Sequence, residues 1–166
     1  MVNKYIFYFI LFIVNKILCG NRFFKVKNFL LRSIGLRIGI GTKIVGPISI
    51  RKINKIQIGE ECWIGKNFTV DGNGNVVIGD RCDLAPNVLI NSGGHKIGEK
   101  SRRAGAGLTL DTKIESGTWI GTNVIIINGA KIGPSSIVAA GAVVTQDIQR
   151  DTLVAGVPAK TKKKLD

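Results

Sequence analysis

The sequence predicts an all-β protein, a parallel β-solenoid preceded by an N-terminal helical segment. Aliphatic residues recur at every sixth position through the second half of the chain, a period that neither an α-helix nor an ordinary strand produces. The fourth residue after each of them is small or β-branched. Such a repeat is typical of a solenoid in which each hexapeptide is one short strand plus a corner. The repeating positions are Leu108, Ile114, Ile120, Ile126, Ile132, Val138 and Val144.

The same repeat begins earlier, with a longer period per coil. Ile38, Ile58 and Ile78 are twenty residues apart, which corresponds to three hexapeptides plus two extra corner residues. Three strands per coil predict a triangular prism over residues 36–158, although the pattern leaves the hand of the coil open. Glycines such as Gly65 and Gly121 directly follow core aliphatics, where a Cβ would crowd the corner or where a positive φ is needed.

Residues 1–35 form an apolar and basic segment that we expect to be helical. The apolar run 5–14 is too short to cross a bilayer, which takes about 20 residues. In the following run, Phe23, Phe24, Phe29, Leu30 and Ile34 can share one helical side. One interpretation is a cap on the solenoid or on a neighbouring subunit. The other is an interfacial anchor on an anionic membrane, which we favour because no acid precedes Glu60. A third alternative, less favoured, is a membrane-spanning helix that runs through Leu18.

The net charge of +13 is concentrated at the two ends of the chain. Residues 1–59 carry eleven Lys and Arg without an acid, and the basic tail 159–166 adds four lysines against Asp166. The repeat region is therefore nearly neutral, which argues against nucleic acid as a partner. Cys62 and Cys82 occupy the small-residue position of successive coils, so we interpret them as stacked core thiols rather than metal ligands or redox groups. Free thiols fit the cytoplasm, so we expect a cytoplasmic protein, peripheral on the cytoplasmic face of the inner membrane if residues 1–35 bind lipid.

An exposed loop at 91–107 interrupts the repeat and contains His95, the only histidine of the chain. Functional residues concentrate on such loops, and a neutral imidazole is a suitable general base near neutral pH. The alternative is a solvated loop histidine without a role. A single histidine excludes a zinc site built from three histidines, as in γ-type carbonic anhydrases, and we predict no metal site.

The chain resembles the hexapeptide-repeat acyltransferases, in particular the galactoside, maltose, nodulation-factor and bacterial polysaccharide O-acetyltransferases. The resemblance is carried by the segments 78–95 (IGDRCDLAPNVLINSGGH), 119–133 (WIGTNVIIINGAKIG), 138–148 (VAAGAVVTQDI) and 153–160 (LVAGVPAK). It implies a left-handed parallel β-helix, a homotrimer, and acetyl-CoA bound as acetyl donor between adjacent subunits. It therefore also implies that active sites lie at the subunit interfaces.

The resemblance extends to individual residues. His95 matches the catalytic histidine of the family, and Thr122 matches the residue whose backbone N–H stabilises the thioester oxyanion. Trp119 matches an aromatic residue beside the acceptor, although corner packing would explain it equally well. The positions that match contacts to CoA are Ala140, Gly141, Thr145, Gln146, Pro158, Lys160 and Lys163. At Gln146 the family usually has lysine, so one contact to the donor is in doubt.

The acceptor side departs further from the family. Gly65 and Asn73 stand where galactoside-type enzymes have an acceptor-binding Asn and Asp, and we name Asn67, Asp71 and Asn73 as the acceptor-binding candidates in their place. The predicted function is transfer of acetyl from acetyl-CoA to a sugar hydroxyl of a capsule, O-antigen or exopolysaccharide. His95 would act as general base in a direct ternary-complex transfer. Acetylation of an amino sugar, serine or an antibiotic, or a non-catalytic scaffold, remain alternatives.

Overall fold

The computed structural model describes residues 3–166, so Met1 and Val2 of the predicted N-terminal segment lie outside the described residues. Helix α1 spans Lys4–Phe12 and continues as a π-helical turn, Ile13–Ile17. Helix α2 spans Phe24–Ser33. A 3-10 turn, Ile53–Lys55, is inserted in the first coil and accounts for part of its extra length.

The remainder is a left-handed parallel β-helix of about six turns with three sheets. Sheet A contains β1 (Arg37–Ile38), β4 (Ile56–Ile58), β7 (Val76–Ile78), β11 (Thr112–Ile114) and β14 (Lys131–Ile132). Sheet B contains β2 (Lys43–Ile44), β5 (Trp63–Ile64), β8 (Asp83–Leu84), β12 (Trp119–Ile120), β15 (Ile137–Val138), β17 (Thr152–Ala155) and β18 (Lys160–Lys164). Sheet C contains β3 (Ile48–Ile50), β6 (Phe68–Gly72), β9 (Leu89–Ile97), β13 (Ile125–Ile126) and β16 (Val143–Val144), with β10 (Ala104–Thr109) paired to β9.

The six-residue repeat is confirmed, because its aliphatic residues pair in register from coil to coil. In sheet A, for example, Ile58 pairs with Ile78, and Ile114 pairs with Ile132. These side chains fill the interior of the prism, where each is at most a few per cent exposed. Stacking at the strand spacing of about 4.8 Å removes a continuous apolar column from water, which is the main favourable term for this fold.

One detail of the repeat prediction is wrong, and the structure decides between the two explanations given for the corner glycines. Leu108 continues the spacing in sequence, but it lies in β10 outside the prism and is only half-buried. The glycines after the core aliphatics are required by close approach rather than by a positive φ. A Cβ at Gly65 would lie 2.6 Å from the carbonyl carbon of Ala85 in the next coil, and one at Gly121 would lie 2.5 Å from the Ala140 nitrogen.

The predicted loop at 91–107 is instead a β-hairpin formed by β9 and β10, which pair antiparallel. The nine-residue β9 begins inside sheet C and continues beyond the prism, so its second half carries the hairpin. The predicted basic tail is ordered as well, since most of it forms β18 antiparallel to β17 at the C-terminal end of sheet B. Both additions use antiparallel pairing, which a period-six pattern does not encode.

The two N-terminal helices cover the first coil. Ile10, Val14, Leu31 and Ile34 are buried in the same apolar core as the solenoid. The apolar side predicted for the second helix is wrong in part. Ile34 is buried and Leu30 packs against the core, but Phe23 and Phe29 are mostly exposed. The buried positions of α2 are Lys27, Asn28 and Leu31. The cap interpretation is thus supported, although it leaves aromatic residues facing solvent.

Lys27 is a fully buried side chain in this cap. Its ammonium donates hydrogen bonds to the carbonyl oxygens of Gly20, at 2.6 Å, and Val45, at 2.9 Å. It also lies 4.6 Å from the centre of the Phe24 ring. Burial lowers the pKa of Lys27, and within residues 3–166 no carboxylate forms an ion pair with it. Lys27 therefore links three parts of the chain: helix α2, the segment between the two helices, and the first coil of the solenoid.

Candidate active site

His95 lies in an open cleft of about 430 Å³ where the hairpin leaves the solenoid. The cleft is on the edge between sheets C and A, which we call the C/A edge, because it is formed by the residues that follow the strands of sheet C. Asp71 and Asn73, two of the predicted acceptor-binding residues, line this cleft together with His95. The structure therefore brings together three of the residues proposed from sequence.

The hydrogen bonding of His95 defines its chemistry. Its Nδ1 lies 2.8 Å from the carbonyl oxygen of Gly105 on the opposite strand of the hairpin. A carbonyl can only accept, so Nδ1 carries the proton of the neutral ring and Nε2 is left with a lone pair. The side chain is exposed, which leaves Nε2 accessible to a substrate. The hairpin thus orients the imidazole so that Nε2 can act as a base.

A second cleft, of about 380 Å³, lies on the edge between sheets B and C, which we call the B/C edge. Its walls include Trp119, Thr122 and Ala140. The N–H groups of Thr122 and Ala140 donate to no acceptor within residues 3–166. The Thr122 carbonyl instead accepts from the Gly141 N–H at 2.8 Å, which stacks the two corners. The cleft therefore offers free backbone donors, half-exposed indole surface and little charge.

The two clefts share no lining residue and belong to different edges of the prism. The chain takes four to five residues to cross sheet C from one corner to the next, about 15 Å at the rise of an extended strand. Reacting atoms must approach to about 3–3.5 Å before group transfer. One chain thus places His95 and Thr122 on different edges, which are separated by about the width of sheet C.

The other predicted residues are distributed between the two edges and the C-terminal end. Asn67 lies on the B/C edge in an asparagine ladder, where its amide donates to Asn87 at 2.8 Å and Asn87 donates to Asn123 at 2.9 Å. Thr145 and Gln146 follow β16 on the C/A edge, the same edge as His95. Pro158, Lys160 and Lys163 are exposed at the C-terminal end, the two lysines on β18.

Comparison with known proteins agrees with this architecture. The family model described as bacterial transferase hexapeptide (six repeats) matches residues 111–146. A crystal structure of a hexapeptide-repeat acetyltransferase from Vibrio cholerae O1 biovar eltor, complexed with acetyl coenzyme A, superposes with a TM-score of 0.86 at 27% identity, covering 98% of this chain and 87% of that one. The chain belongs to the hexapeptide-repeat acyltransferase family.

Two curated relatives from Escherichia coli indicate the range of acceptors in this family. A galactoside O-acetyltransferase of strain K12 is 29% identical over 140 residues, which is 84% of this chain and 69% of that protein. A polysialic acid O-acetyltransferase of strain O1:K1 is 35% identical over 131 residues, 78% of this chain and 43% of that protein. The chain spans about half the length of several other curated relatives that it matches.

The structure also reveals residues that the sequence pattern and the family resemblance did not indicate. Ser92 is fully buried at the base of the hairpin, where its hydroxyl accepts from the Gly74 N–H at 3.1 Å and donates to the Asp71 carbonyl at 2.9 Å. Arg51 lines the His95 cleft and forms an ion pair with Asp71 at 3.3 Å. The period of twenty residues is the sequence signal that could have placed Arg51 beside Asp71 and Asn91. Each of these residues directly follows a core position of sheet C, and those core positions pair from coil to coil.

The cysteine interpretation is confirmed, since Cys62 and Cys82 are buried in adjacent coils. The Cys82 N–H donates to the Cys62 sulfur at 3.5 Å. The hydrogen bond with the neighbouring Cys62 thiol, together with burial, raises the pKa of Cys82, and the same contact lowers the pKa of Cys62 to about 7. Within residues 3–166 no group of three or more His, Cys, Asp or Glu side chains is placed to hold a metal ion.

Proposed function

We propose that this protein is an acetyl-CoA-dependent O-acetyltransferase that modifies a sugar hydroxyl during assembly of a surface polysaccharide. The single observation that carries the proposal is the imidazole of His95, whose Nδ1 is held by the Gly105 carbonyl and whose Nε2 is open to a cleft. A sugar hydroxyl is a poor nucleophile at neutral pH, so its attack on a thioester requires a base positioned in this way. The two O-acetyltransferase relatives give the reaction class, and one of them names a polysaccharide.

The proposed reaction is a direct transfer. His95 Nε2 removes the hydroxyl proton as the sugar oxygen forms a bond to the thioester carbonyl carbon. The Thr122 N–H donates to the oxyanion of the tetrahedral intermediate, a role for which a fixed backbone donor is well suited. As the carbon–sulfur bond breaks, the imidazolium of His95 returns its proton to the departing CoA sulfur. The acetyl ester and free CoA thiol are the products, and no acyl-enzyme is formed.

We place the donor and the acceptor on the two edges described above. The pantetheine arm of acetyl-CoA would contact Ala140 and Gly141 on the B/C edge and Thr145 and Gln146 on the C/A edge. The phosphates would lie near Pro158, Lys160 and Lys163, where exposed ammonium groups suit an anion. The acceptor would be held by Asp71 and Asn73 beside His95, with Trp119 and Asn67 contributed from the facing edge.

The separation of the edges supports a homotrimer with shared active sites. If the C/A edge of one copy faces the B/C edge of the next, each interface joins one His95 to one Thr122. Such a head-to-tail contact forms a closed ring when the rotation closes, and the resemblance to the hexapeptide-repeat acyltransferases implies three copies in that ring. A direct test mixes two inactive variants, His95→Ala and Thr122→Pro, which each damage one edge. Mixed oligomers should recover activity, because each then contains one interface with both intact edges; activity absent from every mixture would contradict shared sites.

We also propose that the outer side of the N-terminal cap docks on an anionic membrane surface. On α1, Tyr5, Tyr8, Phe9 and Phe12 share one helical side and are each more than half exposed, while the opposite side packs on the solenoid. The surrounding charges are all basic up to residue 59, which complements anionic lipid. None of the helices in the described part of the chain is long and apolar enough to cross a membrane.

Sedimentation with phosphatidylglycerol and with phosphatidylcholine vesicles tests the docking. Wild-type protein should bind the anionic vesicles more strongly, and Phe9→Ser with Phe12→Ser should abolish that binding. Ile97→Ser is the matched control, because it removes an even more exposed apolar side chain from the hairpin. Equal binding by the double variant would contradict the proposal. A change in its oligomeric state by light scattering would instead identify this side as a subunit contact.

A further inference from the structure

The floor of the His95 cleft contains a column of polar residues on the C/A edge. Arg51 follows the buried Ile50 at the end of β3, and Asp71 and Asn91 occupy the equivalent position in the next two coils. All three residues line the cleft that contains His95. Arg51 is the permanently charged cation among the residues that line it. An acceptor that reaches Nε2 of His95 therefore passes close to a guanidinium.

The ion pair between Arg51 and Asp71 leaves most of that guanidinium free. The structure joins them by a single contact of 3.3 Å, with the side chains 64% and 57% exposed. Pairs of this kind stabilise a fold very little. Asp71 also accepts a hydrogen bond from the Gly72 N–H at 2.7 Å, which together with Arg51 lowers the pKa of its carboxyl group. Asp71 is thus a fixed anion that orients Arg51, and the other N–H donors of the guanidinium remain available.

The part of the hairpin beyond the cleft lining adds positive charge. The hairpin that carries His95 also carries exposed basic residues with only Glu99 to balance them: Lys96, Lys100, Arg102 and Arg103. Arg103 donates to the carbonyl of Gly98 across the turn, which keeps its charge on the hairpin. Even with Glu99 and Asp71 counted, basic side chains are in excess here, and an excess of one sign of charge raises the local concentration of ligands with the opposite sign. A neutral sugar would gain nothing from this arrangement.

We propose that the acceptor is an acidic sugar, and that Arg51 determines this specificity by binding its carboxylate. The planar guanidinium matches a carboxylate with two parallel hydrogen bonds, which supplies orientation as well as affinity. Bound in this way, the sugar ring lies over the cleft with its hydroxyl groups toward His95. This inference rests on the proposed acetyltransferase function, because it names the substrate class of the same site.

The test measures binding separately from catalysis. The His95→Asn variant, which holds the acceptor without turnover, is titrated calorimetrically with oligomers of sialic acid and with neutral galacto-oligosaccharides of equal length. We expect the acidic oligomers to bind at least tenfold more tightly, and Arg51→Gln to remove roughly tenfold to hundredfold of their affinity. Arg37→Gln is the matched control, because Arg37 is an exposed arginine of sheet A outside the cleft. It should leave binding unchanged.

Steady-state kinetics on the unmutated histidine background separates donor from acceptor. With uronic-acid and matched neutral glycosides, Arg51→Gln should raise KM for the acidic acceptor and leave KM for acetyl-CoA unchanged. Equal affinity for acidic and neutral oligosaccharides, or an equal loss for both in Arg51→Gln, would overturn the inference. If Arg51-dependent binding of acidic oligosaccharides persists while no acceptor is acetylated, the inference stands and the proposed catalytic function fails.

Discussion

Lys27 provides the sharpest test of how the cap is attached to the solenoid. The substitution Lys27→Met keeps the length of the side chain but removes both hydrogen bonds. The Gly20 carbonyl then loses its lysine partner, whereas the Val45 carbonyl retains the N–H of Gly20 at 2.9 Å. Leaving the buried Gly20 carbonyl without a donor costs about 1–3 kcal/mol, and removing one of the two donors to the Val45 carbonyl costs about 1 kcal/mol. The free energy of unfolding should therefore fall by about 2–4 kcal/mol.

Urea unfolding followed by tryptophan fluorescence measures this loss at the relevant place. The ring of Trp63 lies 5.9 Å from that of Phe24 on α2, so its emission reports the docking of that helix. Trp119→Phe in every variant removes the other tryptophan. Lys25→Met is the control, because Lys25 is exposed on the same helix and should change stability by less than about 0.5 kcal/mol. A Lys27→Met protein as stable as Lys25→Met would refute the account of the buried ammonium.

The pH dependence of the same experiment has a defined sign. Burial lowers the pKa of Lys27 from 10.5, so below that value the unfolded chain binds more protons than the folded one. The free energy of unfolding of the wild type should therefore rise, relative to that of Lys27→Met, as the pH increases toward 10.5. The neutral amine still has two N–H donors for its two carbonyls. A difference that stays constant or falls with pH would contradict the desolvated environment assigned to Lys27.

Three further predictions concern the clefts and the thiols. Gly121→Val should destabilise the fold by about 1–3 kcal/mol and weaken CoA binding in a calorimetric titration, because the valine side chain would meet the Ala140 backbone. The control Gly107→Ala should leave stability unchanged, because its methyl group points into open space. Gln146→Lys should tighten CoA binding about threefold to tenfold at low ionic strength, with the gain lost at high salt. A thiol reagent should modify only Cys19 in the native protein and all three cysteines after denaturation.

The prism was predictable because its core repeats. Ile58, Ile78 and their equivalents occupy a fixed period, and each must face inward for the coil to close. The helices and the hairpin do not repeat, so tertiary contacts decide them. Lys27 is polar by type and was not expected in the core, yet two backbone carbonyls hold it there. Leu108 matched the period by chance of spacing, and antiparallel pairing with β9 placed it outside the prism.

The candidate site shows the same division between local and non-local information. His95 was identifiable because it is the only histidine and it interrupts a monotonous repeat. Its tautomer depends on the Gly105 carbonyl, ten residues away, which only the pairing of the hairpin brings close. Arg51 reaches the cleft from two coils earlier, because successive coils stack with a period of twenty. Sequence spacing predicts that stacking, but it does not identify the edge where a hairpin leaves the prism.

The central claim is that His95 is the general base of an acetyl transfer. The most direct measurement is release of CoA thiol from acetyl-CoA with a panel of acidic, neutral and amino sugars, comparing wild type with His95→Ala. Both proteins should carry Cys19→Ser, because that exposed thiol would react with the detecting reagent. We predict release with one acceptor class and a loss of at least about a hundredfold in His95→Ala, with CoA binding and oligomeric state preserved. Turnover that survives in His95→Ala would contradict the account.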